Sequence, residues 1–206
     1  MDKQGIISKV RTIMNETGAE ESLSLLSEDT VKLSEYIEAV IPDAINILSA
    51  MEEVPVNLLP QNTITSATEN SEDGCSVVQL PEDFIRFIAA RFENWKREVQ
   101  VIYPYGGEAY KQQHNSVTRS GVNKPSCVFA NNANGKTVEC FPIGNIEYFS
   151  YVKSLDSDIS SDLNDVSDTL YNAICYMCAY LVYNIFEMPA TGKQMYDIAL
   201  QNIPKA

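Results

Sequence analysis

Apolar residues recur at helical spacing toward both ends of the chain and at strand spacing in its middle. Near the start, Ile6, Val10, Ile13 and Met14 fall three or four residues apart, which predicts a helix, and Gly18 supplies its stop. A second helix is predicted from about Ser27, where the run Ser27 to Thr30 places acids at the positive end of the dipole. Val31, Leu33, Ile37, Val40 and Ile41 form its apolar face. Pro42 either kinks this helix or opens a new one, and Ala44, Ile45, Ile47, Leu48 and Met51 carry the pattern on.

From Glu52 to Gly74 the pattern lapses into Pro, Asn, Thr and Ser, which predicts a polar loop and a boundary. The next segments read as strands: Ser76 to Leu80, the alternating run Glu98 to Tyr103, Ser126 to Ala130, Thr137 to Phe141, and Ile146 to Val152. Phe84 to Phe92 fits a helical face through Phe84, Ile88 and Arg91 or a strand face through Ile85, Phe87 and Ala89, and is taken as a strand because a sheet needs partners. Asn131 to Gly135 is a hairpin signal, since Asn and Gly accept positive φ. An antiparallel sheet is the expected product.

After Lys153 an acidic, Ser- and Asp-rich linker, Ser154 to Asp168, leads to a helical stripe of Leu170, Ala173, Ile174, Met177, Leu181 and Ile185. Met188 and Pro189 end that helix, and a short one from Lys193 to Asn202 closes the chain. The expected fold is α+β. Helices from 1–53 and 154–206 form a frame, 54–75 is a polar loop, and 76–153 is an inserted antiparallel β module.

The 206 residues carry a formal net charge of -13, unevenly spread. Residues 1–75 hold 14 acids against 4 bases, and residues 154–206 hold 7 against 2; residues 76–153 hold 7 against 9. Such a chain is not expected to hold DNA by phosphate neutralisation, which needs clustered bases. No apolar run approaches the length of a membrane span, and the N-terminus lacks the layout of a signal peptide. Five cysteines without framework spacing suit reduced thiols. The expectation is a protein made and used without export.

Candidate chemistry is sparse. His114 is the single histidine, in a polar stretch with no Gly-x-Ser-x-Gly elbow to partner it, so a surface or hydrogen-bonding role is expected. Cys175 and Cys178 match C-x-x-C but lie within a tyrosine-rich helical stripe, where buried thiols fit better than zinc or redox chemistry. The acid clusters follow no calcium-loop pattern. No catalytic residue, metal or cofactor is expected. Eleven tyrosines, one tryptophan and a slightly basic centre suit protein contact surfaces. The candidate contact residues are Phe84, Arg86, Trp95, Arg97, Tyr110, Arg119, Tyr176, Tyr180 and Tyr183, with ordinary packing the competing account.

Four runs carry a resemblance: Leu80 to Phe87 (LPEDFIRF), Asn94 to Arg97 (NWKR), Tyr110 to Asn115 (YKQQHN), and Lys124-Pro125. With Glu139 to Pro142 and the aromatic strand Tyr148 to Tyr151, the chain resembles head-to-tail connector proteins of Bacteroides-infecting tailed phages, the crAss-like group included. The resemblance runs from about Leu33 to Leu200. Glu98 stands where the family pattern has proline, and Thr63 to Gly74 is longer than usual. The resemblance implies a non-enzymatic virion protein of the neck, assembled in the host cytoplasm. It would form a ring, about twelvefold by the portal symmetry the resemblance implies, and bind the portal and further neck or tail ring proteins. DNA would pass the channel without specific binding, with no membrane partner, and the acidic flanks would line that channel and repel phosphate. Alternatives are a head-completion or tail-terminator subunit, or a small ligand-binding or hydrolytic domain built on His114 and nearby acids.

Overall fold

The computed structural model describes residues 2–16, 27–132, 135–156 and 162–205. It is an α+β protein whose N- and C-terminal regions are helical. The chain forms two units, one from Met1–Pro60 with Ser154–Ala206 and the other from Gln61–Lys153.

The helical unit contains α1 (Lys3–Glu16), α2 (Ser27–Ala50), α4 (Tyr171–Ile185) and α5 (Pro189–Gln201). α4 is its axis, packed against α1, α2 and α5. Its sequence explains that position: Ala173, Ile174, Cys175, Met177, Cys178, Ala179, Val182 and Tyr183 are buried, a girdle wider than a single amphipathic stripe. Ile6, Val10 and Met14 of α1 and Ile37, Ile41, Ile45 and Leu48 of α2 supply the facing core. Two tyrosines of α4 bolt it to α1: the Tyr171 hydroxyl donates to Gly5 O at 2.8 Å, and the Tyr183 hydroxyl to Met14 O at 3.1 Å. Asn46 grips the strand of chain that returns after the β module. Its Nδ2 donates to Leu155 O at 3.0 Å, and Leu155 N donates to its Oδ1 at 2.8 Å.

The helical pattern held with three changes. α2 runs through Pro42 unbroken; the apolar residues on both sides of the proline are buried, and that burial outweighs one lost backbone bond. α5 starts at Pro189 rather than Lys193, because proline is preorganised for a first turn. Ile185 is exposed and Leu181 only half-buried, since the buried face of α4 turns through Val182 and Tyr183. The stop assigned to Gly18 lies outside the described residues, as does part of the 154–168 linker, which includes 3-10 turns at Asp162–Asp165 and Asp168–Leu170.

The β unit is two sheets. β1 (Gln61–Ile64), β8 (Ile146–Lys153) and β4 (Phe84–Phe92) form one, in the order β1-β8-β4. The other contains β2 (Thr68–Asn70), β3 (Cys75–Gln79), β5 (Ile102–Tyr103), β6 (Ser126–Asn132) and β7 (Gly135–Phe141), in the order β2-β3-β7-β6-β5. Val78, Cys127, Val138 and Cys140 of the larger sheet pack with Ala90, Phe92, Phe149 and Tyr151 of the smaller one, making a sandwich core. The opposite face of the larger sheet buries Cys75, Val128 and Phe141, with Tyr110 of a short helix, α3 (Glu108–Gln113), packed against them.

The structure corrects the sequence reading of this region. Residues 61–75 are not a separate loop; β1 and β2 belong to the module as polar edge strands, held by ladder bonds to β8 and β3 rather than by apolar alternation. The expected strand Glu98 to Tyr103 is split. Val99 makes a single bridge to Ala90 in the smaller sheet, and only Ile102–Tyr103 joins the larger one, so its alternation serves two sheets in turn. β5 pairs with β6 in parallel, so the larger sheet is mixed rather than antiparallel. The β6–β7 hairpin closes with Asn132 opposite Gly135.

Asn46→Ala would strand both backbone groups of buried Leu155. It is expected to lower unfolding free energy by about 2 kcal/mol, read as a shift in the urea midpoint.

Candidate functional site

The motif residues meet first as architecture. Asn94 and Trp95 follow β4, and both donate to the segment after β7. Asn94 Nδ2 lies 2.7 Å from Ile143 O, and the Trp95 indole N–H lies 3.1 Å from Pro142 O, beyond the cis Phe141–Pro142 bond. The Trp95 ring stacks at 4.5 Å on Phe92 and is 2% exposed. The NWKR and ECFP runs are therefore two halves of one turn-to-strand lock. Trp95 belongs to the core, because its indole finds both an apolar bed and a carbonyl there.

A second cluster lies on the face of the larger sheet that α3 covers. His114 caps α3, its ring 4.4 Å from Tyr110 and 6.0 Å from Phe141. Its Nε2 lies 3.0 Å from Glu139 Oε2, an atom buried without a well-aligned hydrogen-bond donor. Glu139 is carried by the central strand β7, whose alternation points it and Phe141 at α3 while Val138 and Cys140 enter the sandwich. Burial raises the Glu139 carboxyl above its ordinary range; His114 opposes this and Asp73 adds to it. Burial, with Glu139 next, pushes the Cys75 thiol up to about 12. Arg119 spans the cluster. Its Nε donates to Gln113 O at 3.0 Å, its guanidinium lies 5.7 Å from the Phe141 ring centre, and its Nη1 fills the space a Cβ on Gly74 would need. Gly74 itself sits at φ 65°, where glycine is favoured. These contacts pin α3 and the chain after it to the sheet, and set the His114 ring against Tyr110 and close to the Glu139 carboxyl.

The candidate contact residues do not gather in one place. Trp95 and Tyr183 are buried, the latter through its bond to Met14, so neither offers a surface. Phe84 packs on the sandwich core beside Tyr151, and Arg86 is half-buried on the same strand. Tyr110 and Arg119 belong to the His114 cluster. Tyr176 and Tyr180 are half-buried on α4, with Tyr180 5.2 Å from Tyr196. Arg97 is exposed. Cys175 and Cys178 are buried thiols. Burial raises the Cys175 thiol to about 12 and raises Cys178 well above its ordinary value, away from the thiolate form that metal or redox chemistry uses. Cys127 and Cys140 face each other across the hairpin at 3.5 Å between sulfurs.

The surface that sequence reasoning missed lies around β5. Val101, Tyr103, Tyr105, Val117 and Val122 are the large apolar side chains the described part of the module exposes; Val117 is 89% exposed. Two adjoining open depressions, of about 360 and 390 Å³, share Arg97, Tyr103 and Pro125. The first extends along Glu98 to Val101, the second to Glu108, Gln112 and Lys124. Its sequence signal is the apolar members of a run that is polar overall. Among the described residues no helix is long and apolar enough to cross a membrane, and no three His, Cys, Asp or Glu side chains converge as metal ligands.

Two outcomes follow. Trp95→Ala empties a core site and is expected to cost about 3–5 kcal/mol of stability, measured by denaturant unfolding. Glu139 binds its proton more tightly in the fold than in the unfolded chain. It therefore supports the fold below its ordinary value of 4.5 and opposes it as pH rises through the raised one. Glu139→Gln should gain stability relative to the wild type as pH rises from about 4 to about 8, seen in urea midpoints. No known family model matches this chain, and no curated protein matches it significantly.

Proposed function

We propose that this chain is a structural subunit of a tailed-phage neck, forming a ring that binds the portal and links head to tail around the DNA channel. The observation that carries this reading is the division of labour between its two units. The helical unit holds 18 acids against 6 bases, while the β module holds 10 against 9 and exposes Val101, Tyr103 and Tyr105 in and beside β5. A subunit with two unlike surfaces associates head to tail, and rotation closes such contacts into a ring. The motif residues that resemble connector proteins support the reading from another side, since Asn94, Trp95 and Pro142 form the lock that shapes the module. Acids concentrated in the helical unit would keep a passing genome from sticking; finding those acids on the outer rim of an assembled ring would end that part of the proposal.

A second reading draws on the His114–Glu139 contact, which could serve a small ligand-binding or hydrolytic domain. One experiment separates the two: the native mass of purified protein, alone and with its cognate portal. A ring of about twelve copies, free or on the portal, is expected, and His114→Ala should still assemble. A stable monomer indifferent to every neck component would favour the second reading.

A further inference from the structure

We infer that the exposed surface around β5, with Arg97 and Lys124 beside it, is the seat for the acidic face of α2 from a second copy of this chain. The inference rests on the ring reading above and names the contact that would build the ring. Three observations carry it.

First, among the described residues the β5 surface has no partner. β5 is the outer strand of the larger sheet, with no strand described on its far side. Val101 and Tyr103 lie exposed in the same stretch. Second, this surface presents two cations beside two carboxylates, Glu98 and Glu108. Glu98 is engaged, accepting from the Gln100 amide and the Tyr148 hydroxyl. Arg97 and Lys124 are exposed, and neither makes an ion pair among the described residues. Each lines one or both depressions, so an incoming carboxylate would meet a cation in a recess.

Third, the chain carries the matching surface. α2 exposes Glu35, Ala39 and Asp43 at successive i, i+4 positions, and Glu52 and Glu53 follow its end. Glu35 and Asp43 are about 12 Å apart along the helix axis. Tyr36, edge-on to Phe186, adds an exposed ring to this face. Glu38 is already paired with Lys3 at 2.6 Å, so among the described side chains of α2 Glu35 and Asp43 are the acids to offer. The two surfaces differ and sit in different units, so joining them between copies is a heterologous contact, the type that closes into rings.

The test uses two charge-reversed chains, Arg97→Glu with Lys124→Glu, and Glu35→Lys with Asp43→Lys. All four side chains are exposed, so each variant should keep the wild-type unfolding midpoint. Each variant alone should need about 100-fold more protein to assemble, from like charges facing each other. Mixed in equal amounts, the two should assemble again, because each reversed surface then meets its reversed partner, and native mass spectrometry should find the copies alternating. Assembly of the first variant at wild-type concentrations overturns the contact while leaving the ring reading intact. Loss in both variants without rescue on mixing overturns it as well. A wild-type chain that stays monomeric alone and with the portal overturns both readings together. If Arg97→Glu with Lys124→Glu instead abolishes binding of a short DNA duplex and leaves assembly unchanged, the surface serves nucleic acid and the inference is wrong.

Discussion

The helical unit has to be closed from two stretches of chain separated by a 93-residue insertion, and the rest of the structure depends on how that closure is stabilised. α4 cannot nucleate on α1 and α2 until the insertion has been spanned, and loop closure opposes that step. Side-chain contacts across the gap do the holding. Asn46 takes both backbone groups of Leu155 just after the insertion, and Tyr171 and Tyr183 hang α4 from carbonyls of α1. The Tyr183 bond is buried and the others are half-buried, where an unmade partner is costly. They fix which helix faces meet, and the apolar girdle of α4 supplies the bulk of the burial.

Inside the β module, one strand sets the character of both sides of its sheet. β7 sends Val138 and Cys140 into the sandwich and Glu139 and Phe141 toward α3. A carboxylate on a central strand is an unusual choice; His114 comes within 3.0 Å of it, and Arg119 lies over the neighbouring Phe141 ring. Their contacts hold the segment from α3 to β6 on the sheet. That anchoring gives Val117 and Val122 a supported backbone from which to stand exposed. The polar cluster and these exposed apolar side chains are thus parts of one arrangement, the first fixing the chain that displays the second.

Much of this was legible in residue order. α1, α2, β3 and the β6–β7 hairpin follow from periodicity and turn chemistry, because in each the buried face is apolar and regular; Phe84 to Phe92 fits either period, has an irregular buried face, and is read as a strand only from the strands that follow it. β1 and β2 were invisible for the opposite reason: edge strands with polar side chains carry no alternation, and only their partners make them strands. α3 is too short for a period to register. Trp95 and Tyr183 show the limit of composition as a guide to surfaces, since an aromatic ring with one polar atom suits an interface and a core equally well. What decided between them was a carbonyl at the right place, Pro142 O for one and Met14 O for the other. Nothing local in the sequence places those atoms. The β5 surface was hidden similarly, because a run such as Glu98 to Tyr103 reads as a single strand until its residues are shared between two sheets.

The pairing of β1 with β8 brings Gln61 opposite Val152, so the insertion leaves and returns at neighbouring points. Entropically, the helical unit then sees a short bridge in place of a long floppy excursion. A segment with adjoining ends is also exchangeable. It can be lengthened, replaced by another folded cassette, or trimmed to a tight turn with little demand on the helices that host it. Evolution could therefore retune what the module contacts while the scaffold that hosts it stays as it is.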